Sequence, residues 1–500
     1  MSAKRILKPS VQVDGKQTLT FEFDGKNYSG LQGDTLASAL LANGVKALAR
    51  SYKYGRLRGI MSAGAEEPNA LVQMETGAHC SPNIKATQAE LYAGLTANRT
   101  SGWPSLQFDV KAVIGTVGKN MMAPGFYSKT FKWPQKMWPK YENVIRQFAG
   151  FGSTPEQADA EWYDHLHHHV DVLVVGGGLA GLQAALISAN NGLKVLLVDE
   201  QAQVGGWLLS DASSQFNGKT GAEYAKEMAN TLANHANVTV LTRTTAFALH
   251  DHNLIQAVEL LQDHIPVRQR DLQQARQRLH RIRADKVILA AGAIERPLVF
   301  GNNDMPGVFT VSAAQTYLNR YGVLLGEKIA ICGNNDEIYM AARDLALAGA
   351  EVVVADVRKN SKVPSYLPRQ VKVHLHSGIA QVMGKGEVSA VEIIDLNTQA
   401  KQTWQCEIVL SSGGLSPTVH LYCHDTSRPI WDAVAMAFIV PKHYAACKER
   451  VCNVGAVTGS KTWQQALEQT QAVLIEFLGS KGLQAAIELP QVRAEAFHAI

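Results

Sequence analysis

The chain has 500 residues, 46% hydrophobic and 18% charged, the balance of a globular protein with core enough for two to four domains. Its 48 basic and 44 acidic residues leave a formal charge of +4, too little to imply a nucleic-acid partner. No run approaches about 18 uninterrupted apolar residues, and MSAKRILKPSVQVDGKQ at the amino terminus lacks an apolar core, so neither a membrane span nor a secretory signal is expected.

Residues 18–30, TLTFEFDGKNYSG, alternate and turn at Asp24-Gly25, a hairpin pattern. GDTLASALLANGV then reads as a helix that Asp34 or Thr35 can cap and Gly44 ends. A connector follows, closing on His165, His167, His168 and His169. Adjacent histidines cannot all converge on one ion, so a solvated lead-in to a strand is expected and no metal is assigned.

Val172 to Val175 is a buried parallel strand by its unbroken apolar run. Gly176, Gly178 and Gly181 follow at the spacing of a dinucleotide-binding turn. The first allows the tight turn, the second lets backbone approach a pyrophosphate, and the third lets the helix pack on the strand. A second apolar strand, Val195 to Val198, ends in Asp199-Glu200, where a carboxylate can accept ribose hydroxyls. Gly205-Gly206 resembles the pair that passes backbone beside the dinucleotide in two-dinucleotide-domain flavoprotein folds, and Leu241 to Leu249 reads as a strand with Ala246 where such proteins lay backbone against the adenine. The basic run at 262–283 is expected to be a solvated face. VILAAGAIERP (287–297) returns the chain to the cofactor.

Lys328 to Asp356 repeats strand, helix, strand, so a second Rossmann-like domain is inserted in the first. Its loop keeps only Gly333, and Asp336 and Glu337 oppose a pyrophosphate, so no nucleotide is expected there. Residues 450–479 supply the last strand and helix of the first domain, and residues past about 485 look like a surface tail. Where an FAD-binding chain usually has Gly-Asp, this one has Gly455-Ala456, which favours NAD over FAD. The expected fold is α/β, a two-dinucleotide-binding-domain flavoprotein-like fold of nested Rossmann-type domains behind an N-terminal α+β domain. Its divisions are 1–110, a connector at 111–168, a dinucleotide domain from 169–300 and 430–485, an inserted domain at 301–429, and a tail at 486–500. The residues assigned to NAD are Gly176, Gly178, Ala180, Gly181, Asp199, Glu200, Gln201, Gly206, Trp207, Ala246, Gly292 and Ala456.

The six scattered cysteines suit a reducing cytoplasm, and none forms the pair after the glycine loop that a disulfide reductase needs; Cys447 and Cys452 lie too late. No nucleophile elbow, HExxH or P-loop is present, and no acid, base or nucleophile is assigned.

The ββα opening resembles a plant-type ferredoxin-like domain. A [2Fe–2S] cluster there would take four thiolates, and because Cys80 stands alone no [2Fe–2S] is expected. Longer segments resemble the α subunit of heterotetrameric sarcosine oxidase: SYKYGRLRGIMSAGAEEPNALVQ (51–73), NRTSGWPSLQFDV (98–110), APGFYSKTFKWP (123–134), YDH (163–165), IRADKVILAAGAIERPLVFGNNDMPGV (282–308) and SSGGLSPTVHLY (411–422). That resemblance implies an NAD-binding subunit, inactive alone, with FAD in a β subunit, FMN at the α/β interface and small γ and δ partners. The family's α subunit normally continues into a folate-binding domain; with its end at Ile500 this chain is expected to lack it. Two alternatives remain open: an α subunit of an opine, D-hydroxyproline or proline dehydrogenase, and a non-catalytic NAD-binding remnant of a split or truncated gene.

Overall fold

The computed structural model describes residues 4–8, 11–51, 54–109, 133–425, 428–440, 451–483 and 489–493; most of segment 123–134 and Cys447 lie outside the described residues. Val172–Val175 and Val195–Val198 are apolar on both faces, so each needs a neighbour at both edges and cover above and below. They obtain it in a seven-stranded sheet ordered Val238–Leu241, Val195–Val198, Tyr163–Val175, Gln277–Leu289, Leu254–Leu260, Thr244–His250, with Val451–Asn453 also pairing with Gln277–Leu289. Helices Leu179–Asn190, Gly221–Ala233 and Trp463–Ser480 share one apolar core with one face of this sheet. The other face is covered by the antiparallel strands 244–250 and 254–260.

Several sequence expectations change here. The first strand starts at Tyr163, inside the segment read as connector, because residues 163–169 pair in parallel with 277–283. Alternation leaves His165, His167 and His169 exposed, and turns His168 to the other face, against His280. The basic run is only in part a solvated face, with Arg268 and Arg283 exposed. Arg270 and Arg276 are buried, both paired with Glu161. The strand read from Leu241 to Leu249 is two strands broken at Thr242-Arg243, and Arg243 sits at φ +51°. Val492–Arg493, read as tail, pairs with Gln215–Phe216.

The inserted unit is a parallel sheet ordered Val308–Thr310, Ile408–Ser412, Lys328–Gly333, Glu351–Asp356, Lys372–Leu375, with helix Glu337–Leu347 against it. A three-stranded meander (Ser377–Met383, Ala390–Asp395, Lys401–Gln405) covers it as 244–260 covers the first sheet. The chain leaves and re-enters the first unit through two crossing strands, Ala293–Glu295 and Leu415–Pro417, paired antiparallel.

The amino-terminal unit has a sheet ordered Lys26–Gln32, Asp14–Phe23, Thr96–Arg99, Leu71–Met74, Ser81–Lys85. Its first hairpin turns at Asp24 (φ +51°) and Gly25 (φ +73°), the left-handed pair a two-residue turn requires. Helix Leu36–Ala42 is capped by Thr35, whose hydroxyl accepts from the Ser38 amide while Ser38 Oγ accepts from the Thr35 amide. Residues Leu36–Leu41 are all buried, in one core that also contains Phe309, Tyr317 and Leu345 of the inserted unit.

Candidate functional site

The glycine loop closes because two positions tolerate no side chain. At Gly176 (φ +100°) a Cβ would lie 2.4 Å from the Ala290 carbonyl oxygen, and at Gly181 it would lie 1.8 Å from that of Gly176. Gly181 thus sets helix against strand without reaching the cavity. Gly178 is the N-cap of Leu179–Asn190 and provides no side-chain cap, so the free amides of the first turn face open space with the positive end of the helix dipole.

The two acids ending the second strand have different fates. Asp199 is buried and turns inward, accepting from the amides of Gly177 (2.6 Å) and Gln201 (2.8 Å). Burial raises its carboxyl above the usual range, against those two hydrogen bonds. Both acids line the cavity, but of the two only Glu200 is exposed. Crowding by protein raises its carboxyl first, and the like charges of Asp199 and Glu66 add to this. Glu200 is therefore the carboxylate available to ribose hydroxyls, a choice the sequence left open. Gln201 Oε1 accepts from Arg320 Nη1 (2.7 Å) of the inserted unit, a residue no sequence motif signals. The broken strand serves the same end: the amides of Arg243 and Thr244 donate to the carbonyls of Gln201 and Asp199 (2.8 Å each), leading the chain to Ala246 on the cavity wall.

Gly205 donates its amide to the Gly177 carbonyl (2.8 Å), so backbone runs alongside the glycine loop into Gly206 and the half-exposed Trp207. Gly292 and Ala456 line the opposite end, where the Gly455 amide is taken by Gln469 Oε1 (2.9 Å) and residue 456 offers only a methyl group. Together these residues bound a cavity of about 1200 Å³ that holds every sequence-assigned residue except Gly181. Its size exceeds the roughly 300–1,000 Å³ of a drug-sized ligand site and suits a dinucleotide. All three units wall it: Glu66, Lys85 and Glu90 come from the amino-terminal unit, Ser312, Thr316 and Arg320 from the inserted one.

The second loop is closed by its own side chains. Arg358 bridges Asp336 and Asp356 (Nη2 2.8 Å to each), and the Tyr339 hydroxyl also donates to Asp356 (2.8 Å). The acid that would meet a ribose there is consumed. Cys332 and Cys406 are buried, and burial pushes each thiol up to about 12, which keeps them from nucleophilic work. Among the described residues no group of three His, Cys, Asp or Glu could hold a metal ion, and no helix is long and apolar enough to cross a membrane.

A parallel sheet with a glycine loop, interrupted by a second sheet of the same design, defines a two-dinucleotide-binding flavoprotein fold. The chain belongs to the pyridine nucleotide-disulphide oxidoreductase family, whose model matches residues 170–470. It is 43% identical to the sarcosine oxidase subunit alpha of Rhizobium meliloti (strain 1021) over 443 residues, 88% of this chain and 44% of that one. It is 32% identical to the sarcosine oxidase subunit alpha of Corynebacterium sp. (strain U-96), over 97% of this chain and 46% of that one. The resemblance read in the sequence is thus shown, and the chain spans less than half the length of these relatives. The crystal structure of L-proline dehydrogenase from P. horikoshii superposes with a TM-score of 0.65 at 21% identity, covering 96% of this chain and 77% of that one, a likeness of fold.

One expectation is overturned. Residues 16–102 match the model of a 2Fe-2S iron-sulfur cluster binding domain, which contradicts the expectation of no [2Fe–2S]. That expectation rested on counting thiols, whereas the match covers the whole hairpin, capped helix and sheet. The residues present do not fit the group: Cys80 is the single cysteine of the span, and its Sγ lies 3.0 Å from Gln73 Nε2 and 3.7 Å from the Ser153 carbonyl.

Proposed function

We propose that the chain is the NAD-binding α-type subunit of a cytoplasmic, sarcosine oxidase-like complex that oxidises secondary amines at flavins held by or shared with a β-type partner, with small γ- and δ-type subunits. The observation that carries the NAD reading is the contrast between the two ends of the cavity. Glu200 is free at the ribose end, and Ala456 offers no carboxylate where an FAD ribityl hydroxyl would need one. NAD bound here would bring an electron-accepting nicotinamide. The chain's own share is binding: first-turn amides toward the pyrophosphate, Glu200 toward the ribose, Trp207 as a wall.

The test is to purify the chain with and without a co-expressed β-type partner, release the cofactors and identify them by mass. NAD is expected from the chain alone. Flavin and turnover of N-methyl amino acids should come only with the partner, at rates compared with opines and imino acids. FAD in place of NAD, or no partner-dependent oxidation of any of these amines, would overturn the proposal.

A further inference from the structure

The amino-terminal unit is attached to the other two by different kinds of contact. Toward the inserted unit it is welded by a common apolar core: Phe21, Leu40 and Leu48 on one side and Phe309, Tyr317 and Tyr339 on the other belong to a single buried cluster. Hydrogen bonds reinforce this weld. Lys4–Arg5 pairs with Val323–Leu324, Arg5 holds both Asp34 (2.7 Å) and the Tyr321 carbonyl (2.8 Å), and the Tyr317 hydroxyl donates to the Ser62 carbonyl (2.8 Å).

Toward the first dinucleotide unit no apolar cluster of the described residues spans the boundary; the clusters of that unit stay within residues 170–290 and 421–492. The seam is polar and lies across the cavity. At its centre the Arg243 guanidinium makes a two-pronged pair with Glu90, Nε to Oε1 at 2.5 Å and Nη2 to Oε2 at 2.7 Å. Arg276 Nη2 reaches Ser81 Oγ (2.7 Å) further along. Both ends of the pair are braced. Glu90 stands between Ala89 and Leu91, whose backbone is bonded to Leu36 and Asp34 at the start of the capped helix. Arg243 carries left-handed backbone, a conformation unfavourable for a residue with a Cβ that persists where the surroundings impose it. Its amide bonds Gln201, one residue past the ribose carboxylate.

We propose that Glu90 and Arg243 form a clasp that holds the amino-terminal unit over the adenosine end of the cavity, and that breaking this pair sets how fast an adenine dinucleotide leaves. They are positioning residues, acting through the seam and not on the reacting atoms. The proposal rests on the reading of the cavity as an NAD site.

The experiment uses the full chain loaded with NAD, chased with excess unlabelled NAD, in wild type, Glu90→Gln, Arg243→Gln and the swapped Glu90→Arg/Arg243→Glu pair. Hydrogen exchange of residues 84–92 in the nucleotide-free chain is followed in parallel. Each single variant is expected to release NAD about fivefold faster, the scale of a partly exposed bidentate pair, and to exchange faster at 84–92 with unchanged thermal midpoint. The swap is expected to recover most of both effects. Wild-type release and exchange rates in Glu90→Gln would overturn the clasp alone. A wild-type chain that takes up no NAD would overturn it together with the proposed function.

Discussion

Asp199 and Glu200 are neighbours of the same chemical type whose substitutions should separate cleanly. Asparagine at 199 would place an amide donor against the Gly177 or Gln201 N–H. The loss of one acceptor at a buried site should lower stability by about 1–3 kcal/mol, read from a urea midpoint. Glu200→Ala leaves no buried group unsatisfied and should change stability by less than about 0.5 kcal/mol. It should weaken NAD by about 2 kcal/mol, close to thirtyfold, in a calorimetric titration. The wild-type affinity should also fall on acidification. Ribose hydroxyls need the ionised carboxylate, and because crowding raises the Glu200 carboxyl the fall should begin at a higher pH than for an ordinary carboxylate. Equal NAD affinity in Glu200→Ala and wild type would remove the ribose role from this residue.

The long first strand makes a pH prediction at the scale of the element. His168 Nε2 lies 2.8 Å from His280 Nδ1, and His280 Nε2 lies 2.9 Å from Glu259 Oε2, while Arg278 and Asp164 pair beside them (2.8 Å). Burial, and then the neighbouring His280, lower the affinity of His168 for a proton. A base whose affinity is lowered in the folded state stays neutral there while the unfolded chain takes up its proton near pH 6.5. The resulting stability is complete above that pH and is lost as pH falls below it toward the folded value. The urea midpoint should therefore drop between pH 7.5 and 5.5, and His168→Gln should shrink the drop. An undiminished drop in that variant would assign the effect elsewhere. The same strand explains how the histidine run is disposed: pairing with residues 277–283 sends alternate rings to opposite faces, which spacing alone could suggest only once a strand was drawn there.

At the scale of the molecule the shared core predicts shared unfolding. Phe309 belongs to the inserted unit but packs in a cluster with the capped helix of the amino-terminal unit, its ring 6.3 Å from that of Tyr317. Phe309→Ala should cost about 3–5 kcal/mol. In hydrogen exchange it should deprotect residues 36–42 and 408–412 together, leaving 172–198 protected. Loss of protection in the inserted unit alone would show that the two units do not unfold as one.

What the chain determined by itself is the set of local features that depend on neighbours in sequence. The glycine spacing from Gly176 to Gly181, the apolar strands at 172–175 and 195–198, the turn at Asp24-Gly25 and a helix cap at Asp34 or Thr35 all follow from steric and hydrogen-bond rules a few residues in range. The absence of thiols was equally plain, yet the expectation of no [2Fe–2S] drawn from it is contradicted by the family match of residues 16–102, because a fold is specified by its hairpin, helix and core and not by the ligands it carries. Only the tertiary structure decided which of Asp199 and Glu200 has its carboxylate taken by backbone, since their roles depend on the Gly177 and Gln201 amides closing around one of them. It also decided that Arg320 reaches Gln201 and that Glu90 meets Arg243, 153 residues away. Charges on an isolated sequence have no partners until packing brings the units together, and here that packing is apolar on one side of the amino-terminal unit and polar on the other.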